Sequence, residues 1–116
     1  PIPLWVVGVW PAEKSMRRAL RCDGVIPQYR LPGREAGPGD ARAARDWLIE
    51  HGARPGLDVV ADGETPAGEP AAARAQVAGW AQAGCTWWLE TRWGVQEDLA
   101  DPLAPIRERI EAGPPR

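Results

Sequence analysis

Strand-like and helix-like segments alternate four times along this chain, and the alternation restricts its fold more than any other feature. Short β-branched and aromatic runs predict strands, whereas apolar residues spaced three and four apart predict helices. The strands are predicted at 2–9, 23–27, 57–61 and 85–91, and the helices at 13–22, 40–51, 70–83 and from about residue 99. Strands that alternate with helices pair in parallel and are covered by the helices. The sequence therefore predicts an α/β protein with parallel strands.

The last predicted strand carries the most informative side chain. Side chains alternate along an extended chain, so Trp88 and Glu90 share one face while Trp87 and Leu89 share the other. Both faces are mostly apolar, which is typical of a strand covered on two sides. An ionised carboxylate is costly to bury unless it is paired. Glu90 is therefore predicted to lie at an open rim, or to meet Arg92 or another partner.

Composition bounds the size and the class of the protein. The 116 residues are 44% hydrophobic and 26% charged, which suits one small globular unit over residues 1–116 or a part of a larger one. The formal net charge of −2 offers no electrostatic attraction to nucleic acid or to an anionic membrane. No apolar run approaches the roughly 20 residues of a membrane-spanning helix. We therefore expect neither nucleic acid nor membrane as a partner.

The two cysteines indicate a reducing environment. Cys22 and Cys85 are too few and too far apart to suggest a disulfide framework or a metal site. Reduced, buried thiols in a cytoplasmic protein are the expectation, and no metal site is predicted. The sequence starts at Pro1 and runs at once into the first predicted strand, so we expect a piece of a longer polypeptide.

Five stretches of the sequence, taken in order, resemble a known family. They are PLWVVGVW at 3–10, RRALRCDGVIP at 17–27, DVVADGETP at 58–66, AGCTWWLE at 83–90 and RIEAGPP at 109–115. Together they resemble the C-terminal half of the bacterial luciferase-like flavin-dependent monooxygenases. The resemblance covers nearly the whole chain, and it depends on the ordered series because no single stretch is a strong motif.

The resemblance implies a fold and a chemistry. It implies a (β/α)8 barrel of the TIM type, of which this chain would supply the last four strands as a (β/α)4 half. It also implies FMN or a deazaflavin as the cofactor and a small molecule as the substrate. The expected function is that of a flavin-dependent oxidoreductase or monooxygenase, with much of the flavin contact made by the other half.

Half of a barrel leaves an apolar inner face and two strand edges without neighbours. We therefore expect self-association, or docking on a separate N-terminal half of the barrel. Two alternatives to the flavoenzyme stay open. One is a non-catalytic half-barrel that acts as an assembly or binding module, and the other is a (β/α) enzyme that binds a sugar or phosphate.

Ligand chemistry in such barrels takes place at the carboxyl ends of the strands. At the end of the first strand, Gly8, Val9 and Trp10 are the candidates for cofactor binding. For Gly8, a turn that requires glycine is an equally good explanation of the residue. The family commonly has a second glycine where this chain has Val9.

At the end of the fourth strand, Glu90, Arg92 and Trp93 are the candidates for substrate binding. A carboxylate with a guanidinium partner could orient a substrate or the flavin. The competing interpretation is a structural ion pair at the rim. Trp93 could form an aromatic wall beside the ligand, or lie at the rim of the core.

The remaining polar residues carry weaker signals. Asp62 and Glu64 bracket Gly63 after the third strand and are better explained as solvated turn residues. His51, the only histidine, falls at a predicted helix end, where a cation suits the helix dipole. The sequence contains no hydrolase, metalloprotease or nucleotide-triphosphatase motif, and no catalytic residue is assigned.

Overall fold

A computed structural model describes residues 1–94 and 99–116 of the chain. The strands are β1 (Trp5–Trp10), β2 (Gly24–Tyr29), β3 (Asp58–Gly63) and β4 (Trp87–Glu90), and the α-helices are α1 (Glu13–Met16), α2 (Pro38–Glu50), α3 (Pro70–Gln82) and α4 (Ala104–Glu111). A 3-10 helix at Arg17–Arg21 continues α1. In the described part of the chain, the four strands form one parallel sheet in the order β1-β2-β3-β4. The predicted α/β class with parallel strands is confirmed.

All of the helices that contact the sheet do so on one face. Met16 of α1 and Leu48 of α2 are fully buried against Val25 of β2 and Val59 of β3. Farther along the sheet, Trp80 of α3 lies 6.5 Å from Trp88 of β4, measured between ring centroids. Because side chains alternate along each strand, the residues between these core positions point to the opposite face.

That opposite face, here called the open face, has no helix over it in the described part of the chain. Val7 is 44% exposed there and Trp87 is 52% exposed. The alternation assigns to the open face the side-chain positions of Trp5, Val7, Val9, Gly24, Ile26, Gln28, Asp58, Val60, Asp62, Trp87 and Leu89. The protein therefore has one sheet face covered by helices and one without helices, on which Val60 is buried but Val7 and Trp87 are exposed.

A tryptophan bridge crosses the open face near the amino ends of the strands. The Trp5 indole lies over Gly24, where a Cβ would fall 2.5 Å from the nearest ring carbon. Its Nε1 donates a 3.2 Å hydrogen bond to Asp58, and its ring packs edge-on against Trp87 at 5.3 Å. Glycine at position 24 therefore allows a side chain of β1 to reach β4.

Proline limits the pairing inside the sheet without ending the strand. The sequence predicted that the second strand stops at Pro27, but β2 continues to Tyr29 and pairs with β1 along its whole length. The pairing of β2 with β3 covers only Gly24 and Val25 of β2. The prediction was therefore wrong about the end of the strand. The effect of proline is limited to the β3 side of β2, where Pro27 has no N–H to donate to a neighbouring strand.

Two helix starts also differ from the prediction: α2 begins at Pro38 rather than near residue 40, and α4 begins at Ala104 rather than near residue 99. The first predicted helix is a short α-helix that tightens into the 3-10 helix at Arg17. In α2, Asp40 lies in the first turn and accepts the N–H of the cap residue Gly37 at 2.8 Å. Among the described residues, no helix has both the length and the apolar character needed to span a bilayer.

Candidate functional site

The carboxyl ends of the four strands lie at one edge of the sheet, where the sequence placed its candidate residues. The structure separates those candidates into two groups. One group points toward the helices, and the other lies on the open face or in the loops beyond it. This separation decides which of them could meet a common ligand.

Gly8 and Trp10 point toward the helices. A Cβ on Gly8 would lie 2.8 Å from the Sδ of Met16, so helix packing accounts for the glycine. Trp10 packs edge-on against Trp47 of α2, with ring centroids 6.4 Å apart. Of the three candidates for cofactor binding, only Val9 presents its side chain to the open face.

Glu90 also lies on the helix side, where it is the centre of a hydrogen-bond network. Its Oε1 accepts the backbone N–H of Thr65 at 2.6 Å, and its Oε2 accepts the Thr65 hydroxyl at 2.7 Å. The same Oε2 accepts the indole N–H of Trp88 at 3.0 Å. The partner that the sequence left open is therefore the loop after β3, together with a neighbour on β4.

Arg109 completes this network from α4. Its Nη1 donates to the Thr65 hydroxyl at 3.2 Å, and its Nη2 donates to the Gly113 carbonyl. Arg109 is only 8% exposed and Thr65 only 1% exposed, so both polar groups are paired within the fold. We call Glu90, Thr65, Trp88 and Arg109 the Glu90 network.

The pKa of Glu90 reflects two opposing influences. Desolvation by burial is the largest single influence and would raise the pKa of the carboxyl. The hydrogen bonds from Thr65 and Trp88, and the charge of Arg109, together outweigh it and hold the pKa below its ordinary value of 4.5. Glu90 is therefore a stable anion near neutral pH, which suits an anchoring role better than acid–base catalysis.

Arg92 and Trp93 form a second set of contacts just beyond β4. The Arg92 guanidinium lies 3.4 Å from the Glu64 carboxylate, so it does not pair with Glu90 as the sequence suggested. The Trp93 indole N–H donates to Asp62 at 3.3 Å, although the side chain is 82% exposed. Asp62 and Glu64, which the sequence favoured as solvated turn residues, thus orient the two substrate-binding candidates.

A groove lies between β4 and α4, next to the Glu90 network. It has a volume of about 530 Å³, and Ile106, Ile110 and Pro114 supply apolar parts of its lining. Glu90, Arg92 and Arg109 also line it, so one carboxylate and two guanidinium groups lie among apolar walls. The groove can hold an apolar group, but its charged residues are already engaged: Glu90 and Arg109 through Thr65, and Arg92 with Glu64.

The rim of the open face is a different surface. Val9 and Gln28 are register partners near the ends of β1 and β2, and Asp62, one residue before the end of β3, lies on the same face. Trp93 reaches back to this face through its bond to Asp62. We call these four residues the open rim. It combines an exposed indole with an amide and a carboxylate, which suits contact with a planar polar ring.

Neither of two other ionisable side chains is activated as a nucleophile. Burial raises the pKa of the Cys85 thiol, and burial together with nearby acidic groups raises the pKa of the Tyr29 hydroxyl. Both groups are therefore protonated near neutral pH. Within residues 1–94 and 99–116, no cluster of three or more His, Cys, Asp or Glu side chains could hold a metal ion.

Sequence reasoning missed Arg109 and Thr65 as members of the site. A signal for Arg109 was present, because Ile106, Arg109, Ile110 and Gly113 follow the spacing of one helix face. An arginine within an apolar stripe predicts a buried guanidinium with a partner. Thr65 carried no comparable signal, since its partners lie 25 and 44 residues away.

The Glu90 network predicts a pH dependence of stability. Because folding lowers the pKa of Glu90, its contribution is present above the unfolded value near 4.5 and is lost as the pH falls through the folded value. We expect the loss of unfolding free energy between pH 7 and acidic pH to be smaller in Glu90→Gln than in the unmodified chain. Urea unfolding at a series of pH values measures this difference.

Glu111→Gln is the control for this titration, because Glu111 is an exposed carboxylate on the same helix as Arg109. Asp40 has its pKa lowered to about 2 by Arg34, so part of the pH dependence should survive in Glu90→Gln. If the unfolding free energy falls equally with pH in Glu90→Gln and in the unmodified chain, Glu90 is not a source of the pH dependence.

Comparison of the chain with protein-family models, with curated proteins and with solved structures finds no match in any of the three.

Proposed function

We propose that this chain forms the C-terminal half of a flavin-dependent oxidoreductase of the luciferase-like type. The observation that carries the proposal is the sheet, whose four parallel strands follow chain order and bear their helices on one face. A (β/α)8 barrel consists of eight such strand–helix units, twice the number found here, with the face that carries no helices turned inward. The ordered stretches that resemble the family supply the flavin part of the proposal.

The open rim fits the ring system of a flavin. FMN, or a deazaflavin, supplies the electron-transfer chemistry when it is bound. The Trp93 indole offers a flat apolar surface, and Asp62 fixes it through the bond to Nε1. Gln28 is exposed on the same face and offers an amide donor and acceptor. In this role the chain orients the ring and shields one side of it from water.

The phosphate of FMN has a poorer fit to this chain. The Val9 N–H, which could have met an anion, donates instead to the Ser15 hydroxyl at 2.9 Å. The Arg92 guanidinium faces the Glu64 carboxylate. The proposal therefore assigns the phosphate to the other half of the barrel and the ring to this half. Gly8 and Trp10 have no part in it, because both are used in packing against helices.

The second candidate is a non-catalytic assembly or binding module. The bare sheet face favours it, because an apolar face of this kind is covered in a functional assembly. The open rim has no histidine, and the Glu90 carboxylate is held as an anion by its partners. Flavin binding separates the two candidates, since a pure assembly module has no reason to bind the ring.

Flavin binding can be measured with FMN and with a deazaflavin added to the purified chain. We expect flavin fluorescence to be quenched with saturation, and Trp93→Ala to weaken the binding about tenfold through loss of ring stacking. Ile49→Ala is the control, because Ile49 is a large exposed residue on the outer side of α2. Absence of quenching at about 1 mM flavin would contradict the proposed binding of flavin.

Equal binding by Trp93→Ala and the unmodified chain would contradict the open rim as the ring site. The same titration on Trp10→Phe tests the sequence-based prediction that Trp10 binds the cofactor. Because Trp10 faces α2 rather than the rim, we expect no change in flavin affinity in that variant.

A further inference from the structure

The outer edge of β1 carries a cap made of side chains. The carbonyls of Leu4 and Trp10 accept N–H groups from the β2 side of the sheet. Backbone groups alternate in direction along a strand, so the odd-numbered residues of β1 point theirs to the outer edge. Those outward groups are the ones that a further strand would pair with.

Two side chains occupy the outward groups around Gly8. The Arg18 Nη2 donates to the Val7 carbonyl at 3.2 Å, and the Ser15 hydroxyl accepts the Val9 N–H at 2.9 Å. A parallel strand would bond to this same carbonyl and this same N–H through one of its residues. Arg18 and Ser15 thus make the two backbone hydrogen bonds that one residue of a neighbouring strand would make. Their own side chains are also in contact, with Nη2 3.5 Å from Oγ.

We propose that Ser15 and Arg18 form a removable cap that keeps the β1 edge from pairing with the β4 edge of a second copy of this chain. Bare strand edges promote association, and proteins commonly protect them with charged side chains. The inference uses the half-barrel part of the proposed function and is independent of the flavin. A barrel partner that docks at this edge must first displace both side chains.

A second copy is the occupant that best fits the uncapped edge. A two-fold axis along the barrel would place β1 of each copy beside β4 of the other, with all pairs parallel and eight strands in total. The same operation would cover the exposed stripe of α4, in which Ile106 is 41% and Ile110 71% exposed. It would also cover Trp87 on the open face.

The charges at such a junction are complementary. Residues 13–21, next to β1, hold one glutamate against Lys14 and three arginines, a net charge of +3. On α4, Arg107 is paired with Asp101 and Arg109 belongs to the Glu90 network. Glu108 and Glu111 remain as exposed acidic residues on α4. The basic segment of one copy and the acidic side of α4 of the other would therefore attract each other.

Removal of the cap should increase self-association. The double variant Ser15→Ala with Arg18→Ala is expected to form dimers at least about tenfold more tightly than the unmodified chain. Sedimentation equilibrium measures this as a shift from 12.6 kDa toward twice that mass. Arg21→Ala is the matched control, because it removes one exposed arginine of the same segment and leaves the cap in place.

The site of association is tested by a third substitution. Ile110→Asp in the double variant should return the chain to a monomer, whereas Ile49→Asp should not, since Ile49 lies on α2 away from the junction. Ser15→Thr keeps a hydroxyl and should keep the unmodified behaviour. Circular dichroism establishes that each variant is folded.

Amide hydrogen exchange gives a readout that does not depend on association. Ser15→Ala should speed the exchange of the Val9 amide, while the Gly8 amide, directed toward β2, keeps its protection. A double variant that is folded and monomeric at about 100 µM would overturn the proposal, as would equal dimerisation of the unmodified chain. Neither result would affect the flavin titration, so the two proposals fail separately.

Discussion

Arg109→Ala should lower the free energy of unfolding by about 3 kcal/mol. The substitution removes the donor to the buried Thr65 hydroxyl and the donor to the Gly113 carbonyl. The Thr65 hydroxyl then keeps only its bond to Glu90, and the Gly113 carbonyl loses its side-chain donor; each such loss costs up to about 1–3 kcal/mol. It also takes away the positive charge that helps to hold Glu90 as an anion, together with a buried aliphatic stem.

Urea unfolding followed by circular dichroism measures the effect of Arg109→Ala. Arg107→Ala is the control, because Arg107 is an exposed arginine on the same helix whose partner is the exposed Asp101. We expect a change within about 1 kcal/mol for it. Arg109→Met keeps most of the stem and so separates packing from hydrogen bonding. Equal stability of Arg109→Ala and Arg107→Ala would show that α4 does not depend on the Glu90 network.

The alternation of strand and helix patterns was sufficient to predict the fold class. Hydrophobic periodicity is a local property, and it placed all four strands within a few residues of their observed bounds. The parallel direction of the strands followed from the helices between them. The main error in a strand boundary, at Pro27, arose because the effect of proline differs on the two sides of one strand.

The site was less predictable, because it depends on which way each strand faces. Trp88 and Glu90 were correctly placed on one face of β4, but nothing in the sequence indicated that this face meets α4. Gly8 and Trp10 were expected near a ligand, yet their strand turns them toward Met16 and Trp47. A strand with apolar residues on both faces does not reveal which face the helices cover.

The partners of Glu90 could not be predicted for a related reason. Its bonds to Thr65 join residues 25 apart, and they depend on the register of β3 against β4. Arg92 was the nearest cation in sequence, but its side chain meets Glu64 across the same two strands. Sequence proximity favours pairs along one strand, such as Trp88 with Glu90, whereas the bonds to Thr65 and Glu64 reach the loop after β3.

Gly24→Val should also lower the free energy of unfolding by about 3 kcal/mol, at the upper end of the usual cost of overpacking. A Cβ at this position would fall 2.5 Å from a ring carbon of Trp5 and 2.9 Å from the Cβ of Asp58. Relief of that overlap requires Trp5 to leave Gly24. The indole then loses its hydrogen bond to Asp58 and its edge-on contact with Trp87. The near-ultraviolet circular dichroism of the tryptophans should change with the stability.

Gly68→Val is the control, because nothing lies within 4 Å of a Cβ added at Gly68. A second variant, Trp5→Val, tests the cause of the effect. If the overlap with the indole is responsible, Gly24→Val should cost less in the Trp5→Val background than in the unmodified chain, a coupling that a double-mutant cycle measures. If the losses of unfolding free energy in the two single variants simply add, the overlap that matters is with Asp58 instead. A Gly24→Val variant as stable as Gly68→Val would contradict the tryptophan bridge. Since the bridge joins β1 to β4 across the whole sheet, its loss should also increase the exposure of Trp87 to acrylamide quenching.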